Sequence, residues 1–179
     1  MAGGTALALH LGHRYSEDFD FFTDQHFEVE VLLKSLQKLG NCQDVRQRPE
    51  MLFLRFNAIS CSFIYYQYPL FDPAIPSPWG FGISSTREIG AMKIMAIGGR
   101  GRRRDFIDLY FIAKQSGIEK IWQDFQRKYI GTGYDPYHFL RALTYFVDAE
   151  PDTMPRMIEP VTWDEVKSYI ESESRRIAP

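Results

Sequence analysis

The pattern of apolar and polar positions divides the chain into a mixed front half and a helical back half. Residues 5–13 carry Leu7, Ala8 and Leu11 at helical spacing, with Thr5 placed to cap the helix after two glycines. Glu17 to Thr23 alternates acids with phenylalanines and predicts a short strand. Residues 28–39, EVEVLLKSLQKL, predict an amphipathic helix stopped by Gly40. Two apolar runs follow, MLFLRF at 51–56 and ISCSFIYY at 59–66, with Asn57-Ala58 between them as a hairpin turn. A loop rich in proline and glycine spans 69–82 and marks the boundary between residues 1–84 and 85–179. Beyond it the pattern predicts helices near 86–97, 105–116, 118–129, 136–148 and 162–176. Ser85 or Thr86, Asp135-Pro136 and Thr162 with Glu165 supply start signals for three of them. The aromatic pairs Phe21-Phe22 and Tyr65-Tyr66 read as core.

Within this frame, the strand at 17–23 carries the first candidate chemistry. Residues two apart on a strand share a face, so Asp18 and Asp20 project together, about 6–7 Å apart at Cα, while Phe19 and Phe21 turn away. Two carboxylates on one face suit a hard divalent cation with positions left for phosphate oxygens. They equally suit a solvated edge strand. Gly3-Gly4-Thr5 opens a helix, whose free N–H groups and dipole favour a phosphate; an ordinary helix start reads the same. Together, the helix start and the acid pair describe one site, with Gly3, Gly4 and Thr5 on phosphate and Asp18 and Asp20 on the metal that bridges it.

That combination, in the stretch GGTALALHLGHRYSEDFDFF, resembles the nucleotidyltransferase superfamily and in particular the AbiEii/AbiGii toxin family. The resemblance runs through Gly3, Gly4, Thr5, Ala6, Leu7, Arg14, Ser16, Asp18 and Asp20. It continues at 86–112, TREIGAMKIMAIGGRGRRRDFIDLYFI, in a pattern of Lys, Ala, Arg and then Asp-x-x-Asp-Leu. It implies an α+β fold: a small mixed sheet flanked by helices as the nucleotidyltransferase-like core, 1–84, and a helical region packed on it, 85–179. It also implies the toxin half of a bacterial type IV toxin–antitoxin pair, transferring a nucleotide from an NTP to an RNA, tRNA included, or to a protein acceptor with Mg²⁺. An antitoxin partner follows from the same resemblance. Asp18 and Asp20 would bind one Mg²⁺; Gly3, Gly4, Thr5 and Ser16 would hold phosphates; Arg14 and Lys93 would neutralise charge.

Lys93 shares a helical stripe with Ile89, Met92 and Ala96, where a lysine either meets an anion or snorkels to solvent. Asp105 and Asp108 stand three apart at a helix start. Asp105 reads either as that helix's cap or as an active-site acid that holds Lys93 or Arg14, or that helps deprotonate the acceptor. Arg100, Arg102, Arg103 and Arg104 suit RNA phosphates or the triphosphate, and equally a solvated turn.

Two departures from the family pattern change the expectation. The strand ISCSFIYY, where a third carboxylate is expected, carries Ser60 and Ser62 instead, which limits the site to one metal and leaves a catalytically impaired nucleotide- or partner-binding module as the alternative. The family also carries a helical segment ahead of Gly-Gly, so the resemblance implies a truncated start and a loosely held glycine loop. Composition adds exclusions. The formal charge of −2 argues against a wholesale nucleic-acid coat, and Cys42 and Cys61 form neither a metal spacing nor a disulfide framework. None of the four histidines is expected to bind metal. The lack of a long apolar run or a signal-peptide layout predicts a cytoplasmic protein.

Overall fold

The structure is a computed structural model that describes residues 1–177. It is mixed α/β, with a small sheet flanked by helices and a helical C-terminal half. Helix α1 spans Gly3–Leu11 and leads into β1, Asp18–Thr23. Helix α2, Val29–Leu39, precedes strands β2, Cys42–Arg48, β3, Met51–Phe56, and β4, Ile59–Tyr65. These strands form one sheet in the order β1-β4-β3-β2, parallel between β1 and β4 and antiparallel elsewhere. Two-residue strands β5, Ile75–Pro76, and β6, Gly82–Ile83, pair within the proline-rich loop. Helices α3 to α7 then span Thr86–Arg100, Arg103–Ser116, Ile118–Lys128, Pro136–Ala142 and Trp163–Ile177.

Strand β2 was not expected, because CQDVRQR has no apolar alternation. It is an edge strand with mostly exposed side chains, so burial imposes no pattern on it. A bulge between Gln43 and Arg46 places Asp44 at φ 51°. The Asn57-Ala58 hairpin is present, with both residues at positive φ.

Three caps form as predicted. Ser85 accepts from the Glu88 N–H, Asp135 from the Tyr137 N–H, and Thr162 exchanges hydrogen bonds with Glu165 as a capping box. Two do not. Helix α1 begins before Thr5, at an Ala2 cap position that offers no side chain, and α4 begins before Asp105, after Arg102. Both residues sit in a first helical turn, which frees their side chains for the site. The predicted helix over 136–148 ends at Ala142, and a short 3₁₀ turn follows at Val147–Ala149.

Strand alternation gives the sheet two faces. Phe19, Phe21, Phe63, Leu52 and Leu54 share one, with Phe21 stacked on Phe63 at 5.2 Å. The other face carries Asp18, Asp20 and Phe22 on β1, Ser60, Ser62 and Ile64 on β4, and Phe53 and Arg55 on β3. The main core lies among the helices, where Leu7 of α1, Ile89 and Ile94 of α3, Phe106 and Leu109 of α4 and Phe125 of α5 are wholly buried. Helix α3 is central to it and packs on α1, α4, α5 and α6. Among the described residues no helix is long and apolar enough to cross a membrane.

The glycine loop is not loosely held, contrary to expectation. The Ala2 N–H donates to the Asp20 carbonyl at 2.9 Å, the Ser84 N–H donates to the Met1 carbonyl at 2.9 Å, and Ala2 is 1% exposed. On the other side of α1, the segment 156–159 straps the turn into β1. Tyr15 donates its N–H to the Arg156 carbonyl, and the His13 carbonyl accepts from Ile158 and Glu159.

Candidate active site

Helix α1 and strand β1 meet at their polar ends. Gly3 has φ +73°, and a Cβ there would lie 2.4 Å from Asp20 Oδ2. A Cβ on Gly4 would lie 2.4 Å from Arg14 Nη2 and 3.2 Å from Ser16 Oγ. Only glycine fits this approach, which brings the start of α1 directly beside an acid, an arginine and a hydroxyl. Thr5 donates its hydroxyl to the Asp18 carbonyl and lies 2.9 Å from Ser16 Oγ, so it fastens helix to strand.

Asp18 and Asp20 face the same way, as alternation required. Asp18 Oδ2 accepts from Arg104 Nη1 at 2.7 Å, a pair that joins β1 to the first turn of α4 and is half exposed. Burial alone would lower the Arg104 guanidinium, and Asp18 more than reverses this, holding it above its ordinary value. Asp20 stands opposite Ser62 in the parallel register and accepts its hydroxyl proton. Among the described residues no cation pairs with Asp20.

Behind this pair lies a buried ionic network. Lys93 Nζ lies 2.8 Å from Asp105 Oδ1 and 2.6 Å from Asp108 Oδ2. Arg14 donates from Nε and Nη2 to the two Asp108 oxygens at 2.7 and 2.8 Å, the bidentate geometry a guanidinium favours. His13 Nε2 lies 2.8 Å from Asp108 Oδ1, and Arg100 Nε donates to Asp105 Oδ2 at 3.1 Å. Both acids are wholly buried and share one face of α4. Burial pushes their carboxyls up. Lys93 with Arg100 at Asp105, and Lys93 with His13 and Arg14 at Asp108, outweigh it and hold both well below the usual carboxylate range. For Lys93 burial lowers the ammonium, and Asp105 and Asp108 more than restore it, so it stays charged.

Every candidate therefore has a defined place. Gly3, Gly4, Thr5, Arg14, Ser16, Asp18 and Asp20 gather at the α1–β1 junction, and Lys93 and Asp105 stand behind them. Lys93 neither snorkels nor waits for a ligand, since two carboxylates hold it. Of the four arginines at 100–104, Arg100 and Arg104 face the site, while Arg102 pairs with Asp152 and Arg103 with Glu150 in the helical half. Two members were missed by sequence reasoning. His13 and the hub role of Asp108 depend on a contact between residues 95 apart, which no local pattern signals.

Could these residues hold a divalent cation? The donors are oxygens alone, the chemistry of a hard ion. Asp20 lacks a cationic partner, and Arg104 marks Asp18 as a place where positive charge is stable. Among the described residues no cluster of three or more His, Cys, Asp or Glu could form a metal site. The set thus fits one ion completed by phosphate oxygens, and not a cage built by protein alone.

The site opens into a slot of about 730 Å³ between the sheet and α3. It is lined by Asp18, Asp20, Arg14, Lys93 and Arg104, by Asp44, Arg46 and Arg55 of the outer strands, and by the apolar Phe22, Ile64 and Tyr66 on the sheet side and Ile89, Met92 and Ala96 on α3. Phe21 does enter the apolar packing, as expected, but Phe22 and Tyr66 line the slot instead of the core.

Residues 1–52 match the family model described as nucleotidyl transferase AbiEii toxin, type IV toxin–antitoxin system. An uncharacterised protein of Aquifex aeolicus (strain VF5) is 33% identical over 174 residues, covering 94% of this chain and 82% of that protein. In fold, the chain is similar to MenT4, a nucleotidyltransferase toxin from Mycobacterium tuberculosis H37Rv, with a TM-score of 0.63 at 21% identity over 99% of this chain and 73% of that one. The family-model match contains both glycines and both aspartates of the site; Lys93 and Asp105 lie beyond it.

Proposed function

We propose that this chain, which belongs to the AbiEii nucleotidyl transferase toxin family of type IV toxin–antitoxin systems, moves a nucleotidyl group from an NTP to an acceptor hydroxyl with one Mg²⁺ held by Asp18 and Asp20. The observation that carries this reading is the half-buried Asp20 carboxylate, which has a hydroxyl donor from Ser62, no cationic partner among the described residues, and the start of α1 directly beside it. Bound there, Mg²⁺ supplies charge neutralisation for the phosphates.

The chain's own groups do the rest. Free N–H groups at the start of α1 bind phosphate oxygens, and Gly3 and Gly4 let them approach. Arg14 lines the same end, held in one orientation by Asp108 and by the 156–159 strap. Lys93 adds fixed positive charge to the slot wall. Asp105 acts as a positioning residue: a wholly buried carboxylate already bound to Lys93 and Arg100 is poorly placed to take a proton. Arg104 is the cation best able to exchange partners, since its pair with Asp18 is half exposed. Catalysis is then mostly positioning and electrostatics. The acceptor is RNA, tRNA included, or protein, met in the bacterial cytoplasm. The partner that restrains the activity is a cognate antitoxin.

Ser62 favours a second reading. It occupies the register position opposite Asp20 where a third carboxylate would complete a two-metal site, so a nucleotide-binding protein with impaired turnover fits the same geometry. Labelled NTPs with Mg²⁺ and total RNA or lysate separate the two. Transfer that falls by about 100-fold or more in Asp20→Asn supports the enzyme. NTP binding without transfer supports the second reading, and absence of both binding and transfer overturns each.

A further inference from the structure

The other cations around the site are held by acids that stand apart from the Asp18–Asp20 pair. Lys93 lies between Asp105 and Asp108, Arg14 sits on Asp108, and Arg100 on Asp105. Arg104 differs, because its partner is one of the two carboxylates assigned to the ion. It reaches Asp18 Oδ2 through Nη1 at 2.7 Å, and among the described residues no other hydrogen bond holds its guanidinium. The two side chains are 48% and 35% exposed. A half-exposed pair joined by one contact adds little net stability, since water solvates both partners well when they separate.

The backbone beneath Arg104 is fixed. The Arg103 N–H donates to Asp152 Oδ2 at 3.1 Å, and the Arg103 guanidinium donates to the Ala149 and Glu150 carbonyls. Asp105, the next residue along, is wholly buried against Lys93. The start of α4 is therefore anchored on both sides of Arg104. Release of Asp18 needs only a change of side-chain rotamer, with no movement of the helix.

Asp18 is under opposite demands with and without an ion. Without one, Asp18 and Asp20 share a strand face as two negative charges, and Arg104 supplies the positive charge that offsets them. With a divalent ion on the pair, a guanidinium on the same carboxylate is repelled by twice its own charge at close range. That repulsion exceeds the small net gain of a half-exposed pair. Resting on the nucleotidyl-transfer reading, we propose that Arg104 is an exchangeable counter-charge, which occupies Asp18 while the ion is away and gives the carboxylate up when the ion binds. The ion then binds less tightly than the two acids alone allow, because it must first displace the arginine.

Calorimetric titration of Mn²⁺ into the unmodified protein, Arg104→Gln and Arg102→Gln tests this. Arg102 carries the same charge nearby, but its partner is Asp152 and not the acid pair. Arg104→Gln should bind Mn²⁺ about tenfold more tightly than the unmodified protein, whereas Arg102→Gln should stay within about twofold of it. Thermal unfolding gives a second readout. In EDTA, Arg104→Gln should be the less stable protein, because its acids have lost their counter-charge; in saturating Mn²⁺ it should gain more stability than the unmodified protein does. Equal Mn²⁺ affinity in Arg104→Gln and the unmodified protein overturns the exchange, since the arginine would then ignore the ion. Weaker binding in Arg104→Gln overturns it as well, because Arg104 would then support Asp18 as a ligand instead of competing for it. An equal gain in both variants also overturns it, since loss of any nearby positive charge would suffice. Mn²⁺ binding without the Arg104→Gln gain sinks the exchange alone; absence of Mn²⁺ binding in all three proteins sinks the nucleotidyl-transfer reading with it.

Discussion

Placing the absent third acid by mutation gives a direct measure of what the aspartate pair is for. Ser62 stands opposite Asp20 and is 6% exposed, so Ser62→Asp puts a second carboxylate on the neighbouring strand at the same register. Strands lie about 4.8 Å apart. Two like charges at about 5 Å repel by about 3 kcal/mol at an effective dielectric constant of 20. Losing the Ser62 hydroxyl bond adds about 1 kcal/mol. The variant should therefore be less stable by about 3–4 kcal/mol in EDTA at pH 8, or by about 10 °C in thermal midpoint for a chain of this size. The pH matters because protonation of either acid would relieve the repulsion and hide it. In saturating Mg²⁺ or Mn²⁺ at least half of the loss should return, since a third oxygen donor raises affinity for the ion and the ion binds only the folded state. Thermal and urea unfolding in the two buffers give the comparison. An equal loss with and without the cation would refute the reasoning, because the acid pair would then not be a cation site.

Two further outcomes follow from groups outside the metal pair. Asp108→Asn leaves Lys93 and Arg14 buried without their shared counter-charge and should cost about 3–5 kcal/mol in urea unfolding; because Asp105 and Asp108 are held below their ordinary value of 3.8, their stabilisation is fully present above that pH and is lost as pH falls below it, so acid unfolding should start at a higher pH in this variant. Ala58 has φ 69° in the β3–β4 turn, so Ala58→Gly should stabilise the fold by about 1 kcal/mol through relief of left-handed strain, read as a rise of about 2–4 °C in thermal midpoint.

Parts of this site were legible because their geometry is local. Gly3-Gly4 ahead of a helix and Asp18-Phe-Asp20 in a strand each depend on residues a few positions apart, and the structure joins them over a short turn. The caps at Ser85, Asp135 and Thr162 are local for the same reason. What stayed hidden is long-range or patternless. Arg104 meets Asp18 from 86 residues away, Asp108 collects His13 and Arg14 from the turn after α1 and Lys93 from α3, and β2 is an exposed edge on which burial writes nothing.

The slot is a different case, because its signal was present. The alternation that put Asp18 and Asp20 on one face puts Phe22 on that face too, and the stripe of Ile89, Met92 and Ala96 already contained Lys93. Both patterns pointed at the charged groups of the site while looking like ordinary core. An apolar residue that shares a strand face with two ionised carboxylates cannot be in a sealed core without burying those charges as well. A cleft that keeps the acids accessible therefore keeps Phe22 and Met92, which line it, accessible too.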